Sequence, residues 1–213
     1  MKWPEAVPAT ILGLLLAGSP SVSATQQASD RHLVVLSPDK GDRRLAFTRD
    51  AIAFWNQTFL DLKLRPRLVE ADVIVASPMT RALETYARRI SMHAEGLAPP
   101  GAGPSAPREL TNLQGDIVVL LSRQDIFSVT RPFAQRFFIV IQTDRVAPLS
   151  SPNAARNVIA HELGHALGLV HNSDPTTLMC GPCQPLVLGP EERVFSPLTS
   201  NDRARLLELY SAQ

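Results

Sequence analysis

The feature that most constrains this chain is a set of three histidines, His161, His165 and His171, arranged around Gly168. The preceding Ser151-Pro152 marks a helix start, since serine is a favoured N-cap residue and proline is tolerated at the first helical position. Residues four apart on a helix share one face with β-carbons about 5–6 Å apart, so the first two histidines can bind one ion. Gly168 can end the helix in a left-handed conformation, which returns the third histidine towards the same ion.

The chemistry of this pattern is that of a catalytic metal site. Three imidazole nitrogens leave a fourth position for water on a tetrahedral zinc ion, whereas structural sites are closed. Glu162 follows the first histidine directly, so its carboxyl group can reach that water as a general base without binding the metal. The opposite face of the helix is apolar and is predicted to pack in the core, which fixes the direction of the histidines. Its members are Ile159, Leu163 and Ala166.

The full pattern, His161-Glu162-x-x-His165-x-x-Gly168-x-x-His171, resembles the extended zinc motif of the metzincin peptidases. Those enzymes place a methionine in a tight turn beneath the zinc, and Leu178-Met179 resembles that Met-turn. The spacing to Met179 is most similar to that of the matrixins, and Gly181 stands where astacin- and serralysin-like enzymes carry tyrosine. The resemblance implies an α+β fold with a twisted mixed sheet, an active-site helix, a Met-turn and a C-terminal helix. It also implies a zinc-dependent endopeptidase that acts on peptide or protein substrates.

The resemblance extends in weaker form to both sides of this motif. The segment 51–55, Ala-Ile-Ala-Phe-Trp, is similar to the first helix of the matrixins, and 198–210 is similar to their closing helix. Thr199 and Asp202 have the spacing of a capping box at the start of that closing helix. Matrixins usually carry two acidic residues there, and Asn201 replaces the first of them.

The rest of the chain predicts alternating strands and helices. We expect a helix from Arg43 to about Leu62, with Asp42 as its N-cap, because its apolar residues recur on one face. The stretch 97–107 is rich in proline and glycine, so we interpret it as a loop inserted in the domain. The other predicted elements are a helix at 79–92 and strands at 32–36, 68–76, 116–121 and 137–142.

The first 24 residues have the pattern of a secretory signal peptide. Lys2 precedes a short apolar run at 9–18, and Val22-Ser23-Ala24 supplies small residues for cleavage. An uncleaved membrane anchor is the alternative, but the run is shorter than the roughly 20 residues that a spanning helix needs. We therefore predict that residues 25–213 form one exported metallopeptidase domain, extracellular or periplasmic, without a membrane span.

The charge composition argues against one class of binding partner, the nucleic acids. The formal net charge is +1 and no dense basic run occurs, which argues against a nucleic-acid-binding surface. The sequence does not indicate a substrate preference, a calcium site or an oligomeric state.

The chain has two cysteines, in the sequence Cys180-Gly181-Pro182-Cys183. In an exported protein such a pair more often forms a disulfide than two free thiols. Because the same tetrapeptide occurs in thioredoxins, a thiol–disulfide oxidoreductase acting through Cys180 and Cys183 is one alternative function. A non-catalytic binding module on a degenerate peptidase fold is the other, and the presence of Glu162 argues against it.

Overall fold

The computed structural model describes residues 30–94, 97, 103–181 and 195–211. Five strands form one sheet in the order β2-β1-β3-β5-β4. They are β1 (Arg31–Ser37), β2 (Leu68–Val75), β3 (Ile117–Leu121), β4 (Val129–Phe133) and β5 (Arg136–Ile141). The first four in that spatial order run parallel, while β4 is antiparallel to β5 and forms one edge. Ala134 and Gln135 join β4 to β5 with φ angles of 43° and 63°, as a two-residue hairpin of the primed type requires.

Helices cover both faces of this sheet, because the central strands are apolar on both sides. The helices are α1 (Arg44–Asp61), α2 (Pro78–Ala94), α3 (Arg108–Thr111), α4 (Pro152–Ala166) and α5 (Ser200–Tyr210). All five residues of β3 are buried, and alternate residues of the strand enter two separate cores. One core packs α1, α4 and α5 against the sheet, and the other packs α2 and α3 against its opposite face.

The packing of α1 on α4 fixes the position of the predicted metal-binding helix. Trp55 of α1 is fully buried, and its Nε1 donates a hydrogen bond of 2.9 Å to the carbonyl oxygen of Ala160. Ile159, Leu163 and Ala166 of α4 are buried in the same core, as their spacing predicts. The polar face of α4 is therefore turned away from that core.

The predicted α+β class is confirmed, including the active-site helix and the C-terminal helix. At the start of α5, Thr199 Oγ1 accepts from the backbone N–H of Asp202 while the Asp202 carboxylate accepts from the Thr199 N–H, which completes the predicted capping box. The strand and helix predictions agree with the structure within a few residues. The segments β4 and α3 were not predicted, and Pro132 inside β4 removes the strand signal there.

The N-cap prediction for α1 is wrong by one position. Arg43, not Asp42, occupies the N-cap and makes no side-chain capping bond. The carboxylate of Asp42 instead pairs with the buried Arg44 guanidinium at 2.7 Å and also accepts from the Arg44 N–H. Asp42 therefore still contacts the first turn of α1, through both the side chain and the N–H of Arg44.

Two further predictions concern segments that are only partly described. Residues 103–107 form neither helix nor strand, while 98–102 and the proposed signal segment 1–24 lie outside the described residues. Among the helices that the structure describes, none has the length and apolar character of a membrane span.

Candidate metal centre

The C-terminal end of α4 determines how the chain returns to the metal centre. Gly168 has a φ of 91°, which a residue with a side chain rarely adopts. The N–H groups of Gly168 and Leu169 donate to the carbonyl oxygens of His165 and Gly164, which is the Schellman pattern. The helix therefore ends sharply where the sequence predicts, and the chain reverses to bring His171 beside α4.

The three predicted ligands converge on one point. The Nε2 atoms of His161 and His165 are 3.1 Å apart, and those of His165 and His171 are 3.0 Å apart. The remaining Nε2 pair, on His161 and His171, is separated by 3.2 Å. A tetrahedral zinc ion with Zn–N distances of about 2.0–2.1 Å separates two nitrogen ligands by about 3.3–3.4 Å. The triangle therefore has nearly the dimensions that zinc requires, and these residues could hold a metal ion.

The tautomers of the histidines fit the same interpretation. Nδ1 of His161 lies 2.7 Å from the carbonyl oxygen of Leu178, and Nδ1 of His165 lies 3.0 Å from that of Leu169. A carbonyl oxygen can only accept, so Nδ1 carries the hydrogen and Nε2 presents its lone pair. Lone pairs at this distance repel one another unless a cation lies between them. The backbone thus orients both rings for metal binding.

Burial keeps the rings of His161 and His165 neutral. It lowers the pKa of His161 from 6.5 to about 4, although the hydrogen bond to the Leu178 carbonyl opposes this shift. Burial also lowers the pKa of His165, against the opposing hydrogen bond to Leu169. Metal ligands must be deprotonated, so both side chains are in the binding-competent form at neutral pH.

The predicted Met-turn lies against α4 below the histidines. Met179 is fully buried, and a β-carbon on Gly164 would lie 2.6 Å from its Sδ atom. The absence of a side chain at Gly164 therefore lets the turn approach the helix closely. Asn172 donates its N–H to the Met179 carbonyl oxygen and accepts from the N–H of Gly181, which ties the turn to the segment that carries the third histidine.

Gly181 makes a contact that the sequence did not indicate. A β-carbon at this position would lie 2.5 Å from both Cγ and Cδ2 of His171, and 2.6 Å from its Nε2. Real β-carbons essentially never approach other atoms within 3.0 Å, so the imidazole ring occupies the space that a side chain would need. The backbone at Gly181 therefore packs directly against the imidazole ring of His171.

Glu162 is placed beside this centre, and a residue that sequence analysis missed contacts it. The side chain is 6% exposed, and the Oγ1 atom of Thr130 on β4 lies 2.7 Å from its Oε2. Burial raises the pKa of Glu162 to about 7, and the hydrogen bond from Thr130 partly offsets that rise. Thr130 carries no motif of its own and belongs to the unpredicted strand, so only the folded structure identifies it.

A cavity of ≈ 590 Å³ opens next to the centre. His161 and Glu162 line it together with polar and apolar side chains from α4, from the β3–β4 and β5–α4 connections and from the segment before α5. These include Asp125, Phe127, Gln142, Leu149, Asn157 and Ser196. The space is within the range of pockets that accept a small ligand or one side chain of a larger substrate.

Of the two cysteines, the structure describes Cys180. Cys180 is disulfide-bonded. Its backbone forms an isolated parallel β-bridge with that of Asn172, beside the metal centre. Cys183, the other cysteine of the sequence, lies outside the described residues, so its identity as the partner of Cys180 stays a prediction.

The comparison with known families identifies the class. The matrixin family model matches residues 110–211, which contain Thr130 and every predicted ligand, the glutamate and the Met-turn. The protein is accordingly a zinc metallopeptidase. The match to the matrixin model over this segment agrees with the spacing of the histidines and Met179.

Two solved structures that are similar to this chain share little sequence with it. Archaemetzincin from Methanopyrus kandleri is 12% identical, with a TM-score of 0.46, and the match covers 90% of this chain and 98% of that one. A zinc-dependent peptidase from Methanocorpusculum labreanum is 13% identical, with a TM-score of 0.40, and the match covers 82% and 99% respectively. No curated protein sequence matches the chain.

Proposed function

We propose that this zinc-dependent peptidase is an exported endopeptidase in which Glu162 is the general base. The observation that carries this proposal is the position of Glu162, whose buried carboxyl group lines the same cavity as His161. A base must lie within hydrogen-bond reach of the water that it activates, directly beside the point where the water is held.

The three histidines would hold the zinc ion through their Nε2 atoms. Bound there, zinc would lower the pKa of a water molecule to about 7 and polarise the scissile carbonyl group of the substrate. Met179, packed under α4, supports this arrangement as part of the floor beneath the histidines.

The remaining chemistry belongs to Glu162. Its carboxylate takes one proton as the water oxygen forms a bond to the carbonyl carbon of the peptide. It then delivers that proton to the amide nitrogen as the carbon–nitrogen bond breaks, which releases an amine and a carboxylic acid.

The surroundings of the centre support a peptide substrate. The strand β4 is the edge of the sheet, and its outer side pairs with no other strand among the described residues. An extended peptide can add to such an edge through backbone hydrogen bonds, while a neighbouring cavity receives one of its side chains. Cleavage within a chain is the expected mode, as the resemblance to the matrixin endopeptidases implies.

The decisive experiment is Glu162→Gln, assayed on a library of peptides. We expect the variant to bind zinc like the unchanged protein while turnover falls by at least about 100-fold. Glu208→Gln is the matched control, because Glu208 is exposed on α5 and its only described partner is Arg205. Cleavage by Glu162→Gln at the unchanged rate would contradict the proposed role of the glutamate.

Export is proposed from the sequence of residues 1–24 alone. The test is to express the full chain in a secreting bacterial host and to determine the N-terminus of the product. A new N-terminus at about Thr25 in the periplasm or medium is expected. A full-length chain retained in the cytoplasm would refute this part.

A further inference from the structure

Thr130 contacts Glu162 at two places. Its Oγ1 atom lies 2.7 Å from Oε2 of the carboxyl group and 2.8 Å from the backbone carbonyl oxygen of the same residue. Thr130 is half-buried on β4, where its backbone is in register with Ile139 of β5. The sheet therefore holds the hydroxyl group in place. Both oxygen atoms that it contacts belong to Glu162 on α4.

The single hydroxyl hydrogen can serve either acceptor. When the Glu162 carboxylate is ionised, donation to Oε2 is the stronger choice, because hydrogen bonds to a charged acceptor are about twice as strong as neutral ones. The backbone carbonyl oxygen, at 2.8 Å, is the weaker of the two acceptors. The hydroxyl group is therefore directed mainly to the carboxylate.

The contact also distinguishes the two oxygens of the carboxylate. Oε2 is engaged by Thr130, so Oε1 is the oxygen left for another partner. A carboxylate that is held at one oxygen cannot rotate freely, and this limits where the other oxygen lies. Such preorganisation of a base contributes more to the rate of the reaction in a buried site than it would in water.

We propose that Thr130 is a positioning residue, which holds Oε2 of Glu162 and thereby directs Oε1 towards the attacking water. This inference rests on the proposed function of Glu162 as general base. Because Thr130 belongs to the edge strand on which a peptide would pair, it also links the position of the base to that of the substrate backbone.

A merely structural role predicts a different pattern of variants. If Thr130 acts only as a β-branched residue in a strand, valine should replace it well and serine poorly, because valine keeps the shape and serine loses the methyl group. If the hydroxyl group positions Glu162, the order reverses: serine retains the donor and valine does not.

The experiment measures kcat and KM for Thr130→Val, Thr130→Ser and the unchanged protein on one peptide substrate. We expect kcat of the valine variant to fall by about 10- to 100-fold with KM nearly constant, because the lost hydrogen bond touches the base and not the substrate. The serine variant should recover most of that loss. Thr85→Val on α2 is the control, since among the described residues its hydroxyl donates only to the carbonyl oxygen of Arg81, outside the site.

A second readout does not depend on catalysis. In the zinc-free protein, chemical unfolding of Thr130→Val, Glu162→Gln and the double variant should show that the two effects on stability are not additive. Zinc content should be the same in Thr130→Val and the unchanged protein. Equal kcat for valine and threonine, or a serine variant slower than the valine variant, overturns the inference while the role of Glu162 stands. A zinc-loaded unchanged protein that cleaves no peptide in the library overturns both.

Discussion

The close packing of Gly181 against His171 predicts a specific effect of Gly181→Ala on zinc binding. The new β-carbon would lie 2.5 Å from the imidazole ring, whereas ordinary contacts begin at 3.4 Å. The φ of Gly181 is outside the left-handed range, so alanine adds this contact without adding backbone strain. The ring must therefore move by about 0.9 Å, while ligand distances in zinc sites vary by only about 0.2 Å.

The size of the effect depends on whether zinc is bound. In the zinc-free protein His171 is exposed and its ring can turn aside, so stability should change by less than about 0.5 kcal/mol. With zinc bound, the ring is fixed and must be displaced from the ion. We expect zinc to bind about 10- to 100-fold more weakly, which corresponds to about 1.4–2.7 kcal/mol.

Both quantities can be measured on one preparation. Zinc affinity is obtained by competition with a fluorescent chelator at fixed pH, and stability by urea unfolding in the presence of EDTA. Gly41→Ala is the matched control, because among the described residues its β-carbon would meet only Asp39 Oδ1, at 3.5 Å. An unchanged zinc affinity in Gly181→Ala would refute the argument that this backbone confines the third ligand.

Three further predictions follow from the same centre. His165→Ala should lose the roughly one zinc ion per chain expected for three imidazole ligands, and metal analysis that finds undiminished zinc would refute the ligand assignment. Gly164→Ala should lower the free energy of unfolding by about 1–3 kcal/mol, because its β-carbon would meet Met179 Sδ at 2.6 Å, and thermal unfolding checks this. Changing Cys180 and Cys183 together to serine should leave zinc bound and peptide cleavage detectable, with altered preference or thermal stability. Disulfide reductase activity that is lost in this double variant, in a protein that never cleaves peptides, would favour the oxidoreductase alternative.

The metal centre is predictable from sequence because its geometry is local. The i, i+4 spacing of His161 and His165 sets their shared face, and Gly168 sets the end of the helix, so a short segment determines the triangle of nitrogens. The central strands were predictable for a related reason: strands buried on both faces are continuous apolar runs.

The contacts of Thr130 and Gly181 depend on tertiary structure and have no local signature. Thr130 reaches Glu162 across a separation of 32 residues, from an edge strand whose proline hides its pattern. Gly181 is close to His171 only because the Met-turn folds back along the chain. The N-cap of α1 is Arg43 and not Asp42, a difference of one residue of the kind that is usual at helix ends.

The burial of Trp55 against α4 has a spectroscopic consequence. The sequence contains two tryptophans, Trp3 and Trp55, so a chain that begins at Thr25 retains only the second. Its indole ring donates to the carbonyl oxygen of Ala160, next to His161, and its Cζ2 lies 3.0 Å from where a β-carbon on Gly164 would be. Indole emission shifts to longer wavelength when the ring meets water. Such a chain therefore carries a built-in fluorophore directly beneath the metal-binding helix, which reports the docking of α1 on α4 without any attached label.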